Sequence, residues 1–436
     1  LFMWTMVPIF KIFSDPLVAG RILSVVSGFM TMVGIFMLAL KIFNPRTAFL
    51  SAFIYTIVPY TLFFDRLALV DSMLCAFTIW AIYFAIWLVQ LPRLDKSMIL
   101  GFLLGGALLV KTPAIFNLLV LPITGLGYKI KKNQRKTFLK LLLYWAFSTV
   151  IAFGIYNLLK LGPNFQMLSS RNSDYIFSLS ELSGRPLDPF IPHLRDMKEW
   201  FAKLVTFPAW FFIVVGIIAT FLRRYKFGIA LLLWALVPML IQTALLKTFT
   251  ARYQLPSVVI LLIFAGVGFD LLLNFGKRYS KLILGALLLL TSVVPLWTDY
   301  LLVTKPENAD LPRNERRGYL EDWTAGYNFK QIAQFLIDQK KNGPVVVGTE
   351  GFFGTLPDGL QIYLDKAEIP IIGSGATISA QIREAAKNNN TYFVANSARV
   401  GNNLKDVKLI MKFEKPKPLV PSYKEDAIVV YQVLPE

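Results

Sequence analysis

The sequence is poor in cysteine, histidine and charge. Cys75 is its one cysteine and His193 its one histidine among 436 residues. An intrachain disulfide is therefore excluded. A metal site built on His193 would need several carboxylates, and the sequence does not cluster them around it. Charged residues make up 17% of the chain, whereas a soluble globular protein has about a quarter, so an ordinary soluble protein is excluded.

Apolar runs fill most of the first 300 residues. Hydrophobic residues make up 55% of the chain, and runs long enough to cross a bilayer, about 20 residues each, recur along it. They predict a mostly α, polytopic helical membrane protein. We predict ten transmembrane helices, at 19–41, 47–64, 71–90, 97–111, 114–128, 138–158, 204–221, 227–246, 255–273 and 281–302.

Acidic residues are scarce in the part of the chain that holds these runs. Residues 1–304 contain 28 lysines and arginines against 11 acids, whereas residues 305–436 contain 17 against 16. The excess positive charge therefore belongs to the membrane part, where loop charge that fixes topology explains it. We expect membrane lipids as partners and no nucleic acid.

The basic residues concentrate in short loops at every second turn between the predicted helices. The positive-inside rule places these loops in the cytoplasm. They are residues 41–46, 91–96, 128–136, 223–226 and 276–281. The turns at 65–71, 111–113, 159–203 and 247–254, and everything after residue 302, are then predicted to be extracytoplasmic.

Two local patterns predict packing in the membrane part. Gly101 and Gly105 form a GxxxG pattern, which favours close helix packing. The stretch 193–207, HLRDMKEWFAKLVTF, has the pattern of an amphipathic interfacial helix, with Trp200 expected near the lipid headgroups.

The last 130 residues have the pattern of a separate soluble domain. The segments PVVVGT, IPIIG, TYFVANS, VKLIMKF and AIVVYQV are predicted strands, and YNFKQIAQFLIDQ and TISAQIREAAKN are predicted helices. Strands that alternate with helices predict a small C-terminal soluble α/β domain. The predicted domains are therefore 1–303, in the membrane, and 304–436, outside the cytoplasm.

The turn FFDRLALVDSML places three charges between two apolar segments. Asp65 and Arg66 end one predicted helix, and Asp71 begins the next. One explanation is structural: Asp71 complements a helix N-terminus, and Asp65 and Arg66 form a solvated pair at the interface. The other is functional, because charge at a membrane boundary indicates a site when several charged residues converge there.

Lys111 and the pair Arg252–Tyr253 also lie at predicted outer helix ends. Each alone is typical of a snorkelling cation with an aromatic anchor. Together with the turn at 65–71 they place three cations and two carboxylates on one membrane face. Cations at that boundary suit a lipid phosphate, and a carboxylate beside them can act as general base toward a hydroxyl. This combination fits cleavage of a sugar from a lipid phosphate.

The long outer loop 159–203 contains two further candidates, Arg171 and Asp174. They lie in the stretch SSRNSDYIF and are candidates for binding the donor phosphate or the acceptor. An ordinary solvated loop is the alternative explanation for both.

Four blocks carry a resemblance to a known family. The blocks are RILSVVSGFMTMVGIFMLALKIF, FLSAFIYTIVPYTLFFDRLALVDSMLCAFTIWAIYFAIWL, GFLLGGALLVKTPAIFNLLVLP and RYQLPSVVILLIFAGVGF. Their order and spacing over residues 1–303 resemble membrane glycosyltransferases of the glycosyltransferase-C superfamily, of the protein O-mannosyltransferase and lipid A aminoarabinose transferase type. The resemblance implies a polyprenyl-phosphate-linked sugar donor, a protein, lipid or glycan acceptor, and an active site on the extracytoplasmic face.

The resemblance also assigns residues. The family's outer-loop arginine and aspartate correspond to Arg66 and Asp71, and its lysine after a glycine-rich helix corresponds to Lys111. Its R-Y-x-L-P element corresponds to Arg252 and Tyr253 with the leucine and proline that follow. These correspondences imply substrate-binding roles for the cations and Tyr253.

Compared with the family, we expect the chain to lack a first transmembrane helix and most of the first outer loop. That loop carries the family's acidic motif, which supplies the presumed base, so Asp65 and Asp71 become the candidate catalytic carboxylates. No cofactor is indicated with certainty, and a divalent metal is left open. We expect an integral protein of a prokaryotic plasma membrane.

A transporter or flippase of a lipid-linked or small solute is the alternative function. Such a protein places ionisable groups near the middle of the membrane, often with repeat symmetry. Here the predicted helices are almost free of charge in their middles, and charge collects at the outer rim. This distribution favours an outward-facing transferase.

Overall fold

The computed structural model describes residues 1–128, 135–167, 172–185, 187–275, 280–401 and 404–435. The chain divides into two compact units, Leu1–Lys305 and Pro306–Glu436.

The described part of the first unit is helical. Its α-helices are α1 (Phe2–Ile12), α2 (Pro16–Ile42), α3 (Pro45–Ile57), α4 (Pro59–Asp65), α5 (Val70–Gln90), α6 (Leu94–Val110), α7 (Ile115–Val120), α8 (Arg135–Tyr156), α9 (Asn172–Tyr175), α10 (Leu179–Ser183), α11 (Phe190–Trp200), α12 (Phe207–Leu222), α13 (Lys226–Leu245), α14 (Ala251–Phe275) and α15 (Ser280–Thr304). Short 3₁₀ segments flank α7 and follow α8, and a π-helical turn, Phe201–Thr206, joins α11 to α12.

Within the described ranges, seven helices are long and apolar enough to cross a membrane. They are Pro16–Ile42, Val70–Gln90, Arg135–Leu161, Phe190–Leu222, Lys226–Leu245, Ala251–Asn274 and Leu282–Thr304. An eighth crossing results if α3 and α4, bent by 62° at their junction, form one span. Each has a counterpart among the ten predicted helices.

The remaining two predicted helices, 97–111 and 114–128, are shorter than a full span. The first is α6, which has 17 residues, and the second is the apolar stretch Thr112–Gly127, which changes from 3₁₀ to α and back. The reason is local: prolines at 113 and 122 interrupt the regular hydrogen bonding of the second stretch. Among the described residues, these two stretches are therefore too short to count as full-length spans.

The stretch 193–207 forms the predicted helix, but Trp200 is buried in the protein and not exposed at a lipid interface. The stretch is helical but continues through the π turn into α12. Trp200 is 1% exposed, and its ring lies 4.8 Å from that of Phe249. An amphipathic pattern identifies an apolar face, but it does not say whether protein or lipid covers that face.

Glycines allow two pairs of helices to approach closely. The predicted packing of Gly101 and Gly105 is confirmed: a Cβ atom at each would meet side chains of α8, at 2.7 Å and 2.8 Å from the Cβ atoms of Ile151 and Ile155. A second contact joins α12 to α14, where a Cβ atom on Gly216 would overlap the backbone carbonyl of Phe264.

The second unit contains a five-stranded sheet with helices on both faces. Its elements are α16 (Arg313–Arg316), α17 (Phe329–Lys340), β1 (Val345–Glu350), α18 (Thr355–Leu364), β2 (Ile371–Ser374), α19 (Ala380–Ala386), β3 (Asn390–Asn396), β4 (Val407–Glu414) and β5 (Ala427–Val433). The strand order is β2-β1-β3-β5-β4. The first three strands in this order are parallel, and β5 is antiparallel to both of its neighbours.

Alternating side chains of the strands fill two cores. Val347, Val394 and Val430 pack with α17 and α18 on one face, whereas Phe393 and Val429 pack with α19 on the other. The two-residue period of the strands explains this division. The five predicted strands and the two predicted helices of this domain are confirmed, and so is the fold class.

Candidate functional site

A cavity of about 490 Å³ opens in the first unit where four turns meet. Its lining comes from the start of α5, the turn after α6, residues 175 and 176 of the long loop, and the end of α13 with the start of α14. We call it the central cavity. All four segments belong to turns that the charge pattern predicts to be extracytoplasmic, and the structure brings them to one place.

An ion pair lies in the wall of the central cavity. The Lys111 ammonium group is 2.6 Å from the Asp71 carboxylate, and 22% of the lysine side chain and 3% of the aspartate side chain are exposed. Asp71 lies in the first turn of α5, whereas Lys111 ends α6 in extended conformation. The helix N-terminus and the ammonium group both stabilise the buried carboxylate.

Tyr253 lies close to both cations of the cavity. The Lys111 ammonium nitrogen is 4.3 Å from the centre of the Tyr253 ring, and the Arg252 guanidinium carbon is 5.2 Å from it. Arg252 Nε is buried and has no hydrogen-bond partner among the described residues. Two cations therefore face the cavity beside one carboxylate, which favours an anionic ligand.

The long outer loop supplies one wall of the cavity. Tyr175 and Ile176 line it, and backbone hydrogen bonds of 2.8 Å fix them there, from Phe177 N to Leu245 O and from Lys247 N to Tyr175 O. Sequence reasoning missed this wall, because nothing in an isolated apolar pair such as Tyr175–Ile176 indicates which turn it will contact.

A short capped helix follows that wall. The backbone N–H and the hydroxyl of Ser178 each donate to the Glu181 carboxylate at 2.7 Å. These hydrogen bonds lower the pKa of the Glu181 carboxyl. Lys247 also pairs with Glu181, at 3.5 Å, so a second contact ties this helix to the segment after α13.

Asp174, one of the two remaining predicted loop residues, is not among the described residues that line the cavity. Asp174 lies in α9 and is exposed. Arg171 lies outside the described residues. Both stay predictions.

Asp65 and Arg66 line a different groove, of about 250 Å³. Tyr55 Oη donates to the Asp65 carboxylate at 2.5 Å. The Arg66 guanidinium lies 5.8 Å from the centre of the Phe63 ring and interacts electrostatically with Asp299. The structure therefore brings Asp71, Lys111, Arg252 and Tyr253 together and places Asp65 and Arg66 apart from them.

A buried polar network beneath the central cavity is a further feature that the sequence analysis missed. Asn117 donates to Thr78 Oγ1 at 2.9 Å and accepts from Trp234 Nε1 at 3.2 Å. These three side chains line a small pocket together with Gln242 and Tyr253, which also line the central cavity. An asparagine inside the apolar run 114–128 was the available signal, because buried polar groups need partners.

The lone histidine has a structural role. His193 is 7% exposed, its Nδ1 is 2.8 Å from the Thr243 carbonyl, and its ring stacks on Phe249 at 4.2 Å. The part of the chain that the structure describes contains no group of three or more histidine, cysteine or acidic side chains arranged to hold a metal.

Comparison with known proteins agrees with this architecture. Residues 1–158 match the family described as Dolichyl-phosphate-mannose-protein mannosyltransferase. No curated protein matches the sequence significantly. The predicted resemblance to membrane glycosyltransferases is therefore confirmed in sequence over the first 158 residues, which include Asp71 and Lys111.

Similar solved structures cover nearly the whole chain. ArnT from Cupriavidus metallidurans in the apo state has a TM-score of 0.57 at 15% identity, over 98% of this chain and 86% of that one. The same protein bound to undecaprenyl phosphate gives 0.54 at 15% identity, over 99% and 87%. The Archaeoglobus fulgidus oligosaccharyltransferase in complex with Zn and sulfate gives 0.51 at 12% identity, over 98% and 64%. The chain therefore has an ArnT-like fold.

Proposed function

We propose that this chain is an integral membrane glycosyltransferase that moves a sugar from a polyprenyl-phosphate donor to a hydroxyl of a protein, lipid or glycan. The observation that carries the proposal is that Lys111 and Arg252 both lie close to the Tyr253 ring in the lining of the central cavity. The matched family and the undecaprenyl phosphate bound by ArnT support this class of donor.

The donor phosphate binds between the two cations. Arg252 Nε, which is buried without a hydrogen-bond partner among the described residues, donates to one phosphate oxygen, and Lys111 donates to another. Charge-assisted hydrogen bonds of this kind are about twice as strong as neutral ones. They strengthen as the sugar departs, because negative charge then grows on the phosphate.

Asp71 first positions Lys111 and then accepts the acceptor's proton. The bound phosphate gives Lys111 a second anionic partner and loosens its hold on Asp71. The bond between the anomeric carbon and the phosphate oxygen breaks, and its electron pair leaves with the polyprenyl phosphate. A new bond joins the anomeric carbon to the acceptor oxygen, whose proton passes to the Asp71 carboxylate.

Asp65 and Arg66 support the site from the neighbouring groove in this proposal. The hydrogen bond from Tyr55 to Asp65 and the electrostatic attraction between Arg66 and Asp299 hold the turn that leads to Asp71. Asp174 and Arg171, from the long outer loop, contact the acceptor or the donor phosphate.

The reaction takes place on the extracytoplasmic face of a prokaryotic plasma membrane. The positive-inside rule supports this orientation, because the four turns that line the central cavity alternate with the basic loops. The second unit follows α15 and lies on the same side of the membrane in this topology.

Incubation of membranes that contain the chain with a radiolabelled polyprenyl-phosphate sugar tests the proposal. Label is expected in the protein, lipid or glycan fraction, and Asp71→Asn and Lys111→Ala are each expected to lower transfer at least about a hundredfold. Lys160→Ala, which removes an exposed cation near the same face, is the matched control.

Two results would contradict the proposal. Transfer that both cavity variants retain would remove these residues from the site. Movement of labelled lipid across sealed vesicles, with no transfer in any fraction, would favour a flippase.

A further inference from the structure

Polar side chains lie together at one end of the strands in the sheet of the second unit. β1 ends at Glu350 and β3 at Asn396, Lys415 follows β4, and Asp426 precedes the antiparallel β5. The chain leaves β1 toward β2 and leaves β3 toward the opposite side of the sheet, so the loops diverge between these two strands. Such a divergence at the carboxyl ends of parallel strands is where open α/β sheets bind ligands.

A buried hydrogen-bonded network links these four side chains. Asn396 Nδ2 donates to Glu350 at 2.9 Å, and Lys415 Nζ donates to Asn396 Oδ1 at 2.7 Å and to Asp426 at 2.8 Å. The exposed fractions of the lysine, glutamate and Asp426 side chains are 0%, 3% and 3%. Lys415 also donates to the Asp322 carbonyl at 2.8 Å. The network is therefore buried, and each of its members has a hydrogen-bonded partner.

Two arginines extend from the ends of this network into a cleft of about 270 Å³. Arg399 Nε pairs with Glu350 at 2.9 Å and its guanidinium lies 4.7 Å from the centre of the Trp323 ring. Arg317 Nε pairs with Asp322 at 3.0 Å, and the guanidinium carbon of Arg317 lies 4.3 Å from the centre of the Tyr423 ring. Each guanidinium is thus held by a carboxylate and an aromatic ring.

The arginines keep donors for a ligand. The ion pair of each carboxylate is with Nε, and 45% of each arginine side chain is exposed, so the terminal nitrogens can be reached from the cleft. Ser422 and the exposed Lys424 line the same cleft. Three carboxylates also line it, and each is paired with a cation: Glu321 with Arg316, Asp322 with Arg317 and Asp426 with Lys415. Paired terminal nitrogens in a fixed plane match the oxygens of a phosphate.

We propose that this cleft is a second binding site, which takes a phosphate monoester or pyrophosphate group, alone or on a saccharide. Arg317 and Arg399 grip the phosphate oxygens, Lys424 adds charge, and Ser422 faces the rest of the ligand. The buried network holds the two arginines at the right separation before the ligand arrives, which lowers the entropic cost of binding. The assignment is independent of the donor site in the membrane unit.

Hydrogen exchange of the full chain in detergent, read by mass spectrometry, localises the ligand. The probes are inorganic pyrophosphate, glucose 6-phosphate and glucose. Pyrophosphate or glucose 6-phosphate is expected to slow exchange at residues 397–401 and 418–426, and glucose is not. Protection by pyrophosphate alone identifies a free-phosphate site, whereas stronger protection by glucose 6-phosphate identifies a phosphorylated saccharide.

Substitutions test which residues of the cleft bind the phosphate group. Arg317→Ala and Arg399→Ala are each expected to weaken binding about tenfold or more. Lys424→Gln, at an exposed position, is expected to weaken binding severalfold, and its exposure separates a loss of binding from misfolding. Lys387→Ala, which directly follows α19 and is not among the residues that line the cleft, is the matched control and is expected to bind normally.

Lys111→Ala separates this site from the one in the membrane unit, and it is expected to leave the protection at 397–401 and 418–426 unchanged. The proposal is overturned if neither phosphate probe protects these residues. It is also overturned if Lys424→Gln, Arg317→Ala and Arg399→Ala all bind as the unsubstituted protein does.

Discussion

The carboxylate of Asp71 and the ammonium group of Lys111 depend on each other. Both lie in a cavity wall, 2.6 Å apart, and the aspartate is almost fully buried. Removal of one member of a buried pair leaves an uncompensated charge, which costs about 3–5 kcal/mol, whereas removal of both members costs much less. The pair therefore has a structural role in addition to its proposed role in donor binding.

This dependence predicts a strong coupling between the two residues. Lys111→Met alone is expected to lower thermal stability in detergent by several degrees, because it leaves Asp71 charged and unpaired. The double variant with Asp71→Asn is expected to recover most of that loss, although it stays inactive. Additive losses of stability from the two single substitutions would show that the pair is not coupled.

A second prediction at this scale concerns the buried pair of the second unit. Lys415→Met leaves Asp426 and Glu350 without the lysine that joins them through Asn396. We expect it to destabilise the sheet by about 3–5 kcal/mol, seen as faster hydrogen exchange in β4 and β5. Lys412→Met, on an exposed site of β4, is the control, and equal exchange in both variants would contradict the prediction.

Among the helices, α12 and α14 make the tightest contact, and it depends on glycine. Gly216→Leu has no room, because even a Cβ atom there would overlap the Phe264 carbonyl. We expect this substitution to prevent accumulation of folded protein, measured by size-exclusion chromatography after detergent extraction. Gly154→Leu on α8 is the matched control, since nothing lies within 4 Å of a Cβ atom at that position.

The wall of the central cavity depends on two backbone hydrogen bonds between loops. Phe177→Pro removes the N–H that donates to the Leu245 carbonyl, and it is expected to speed proteolysis of the loop 159–203 and to lower transfer. Phe177→Leu keeps the N–H and loses the ring. If the loop of Phe177→Leu is cleaved as fast as that of Phe177→Pro, the ring contacts with Arg185 and Lys247, rather than the hydrogen bond, hold the loop.

Helices and strands were easier to predict from the sequence than the contacts that their side chains make. The five strands of the second unit follow from short runs rich in valine and isoleucine, which only a covered sheet accommodates. Arg66 was grouped with Asp71 because both belong to one predicted outer turn, with four residues between them. The end of α4 at Asp65 and the turn after it instead direct them into different cavities. Spacing along the chain does not fix which side of a turn a charge will face.

On the scale of the whole molecule, the charge pattern predicts one orientation in the membrane. Cys75 is buried, so single cysteines introduced elsewhere can be labelled against a low background. A membrane-impermeant maleimide added to intact cells is expected to label Ser180→Cys and Glu384→Cys. It is expected to reach Asp95→Cys only after permeabilisation. Labelling of Asp95→Cys in intact cells would reverse the topology.

The ion pair in the central cavity also bears on selectivity in a membrane crowded with phospholipids. Two cations without a carboxylate partner at the bilayer surface would bind the abundant phospholipid headgroups. Asp71 competes with every incoming phosphate, and because it is attached to the same protein its effective concentration is high. A headgroup that offers only its charge gains little by displacing it. A ligand whose sugar and isoprenoid chain make further contacts can displace Asp71 from Lys111. The salt bridge of the unliganded site therefore selects against the commonest lipids.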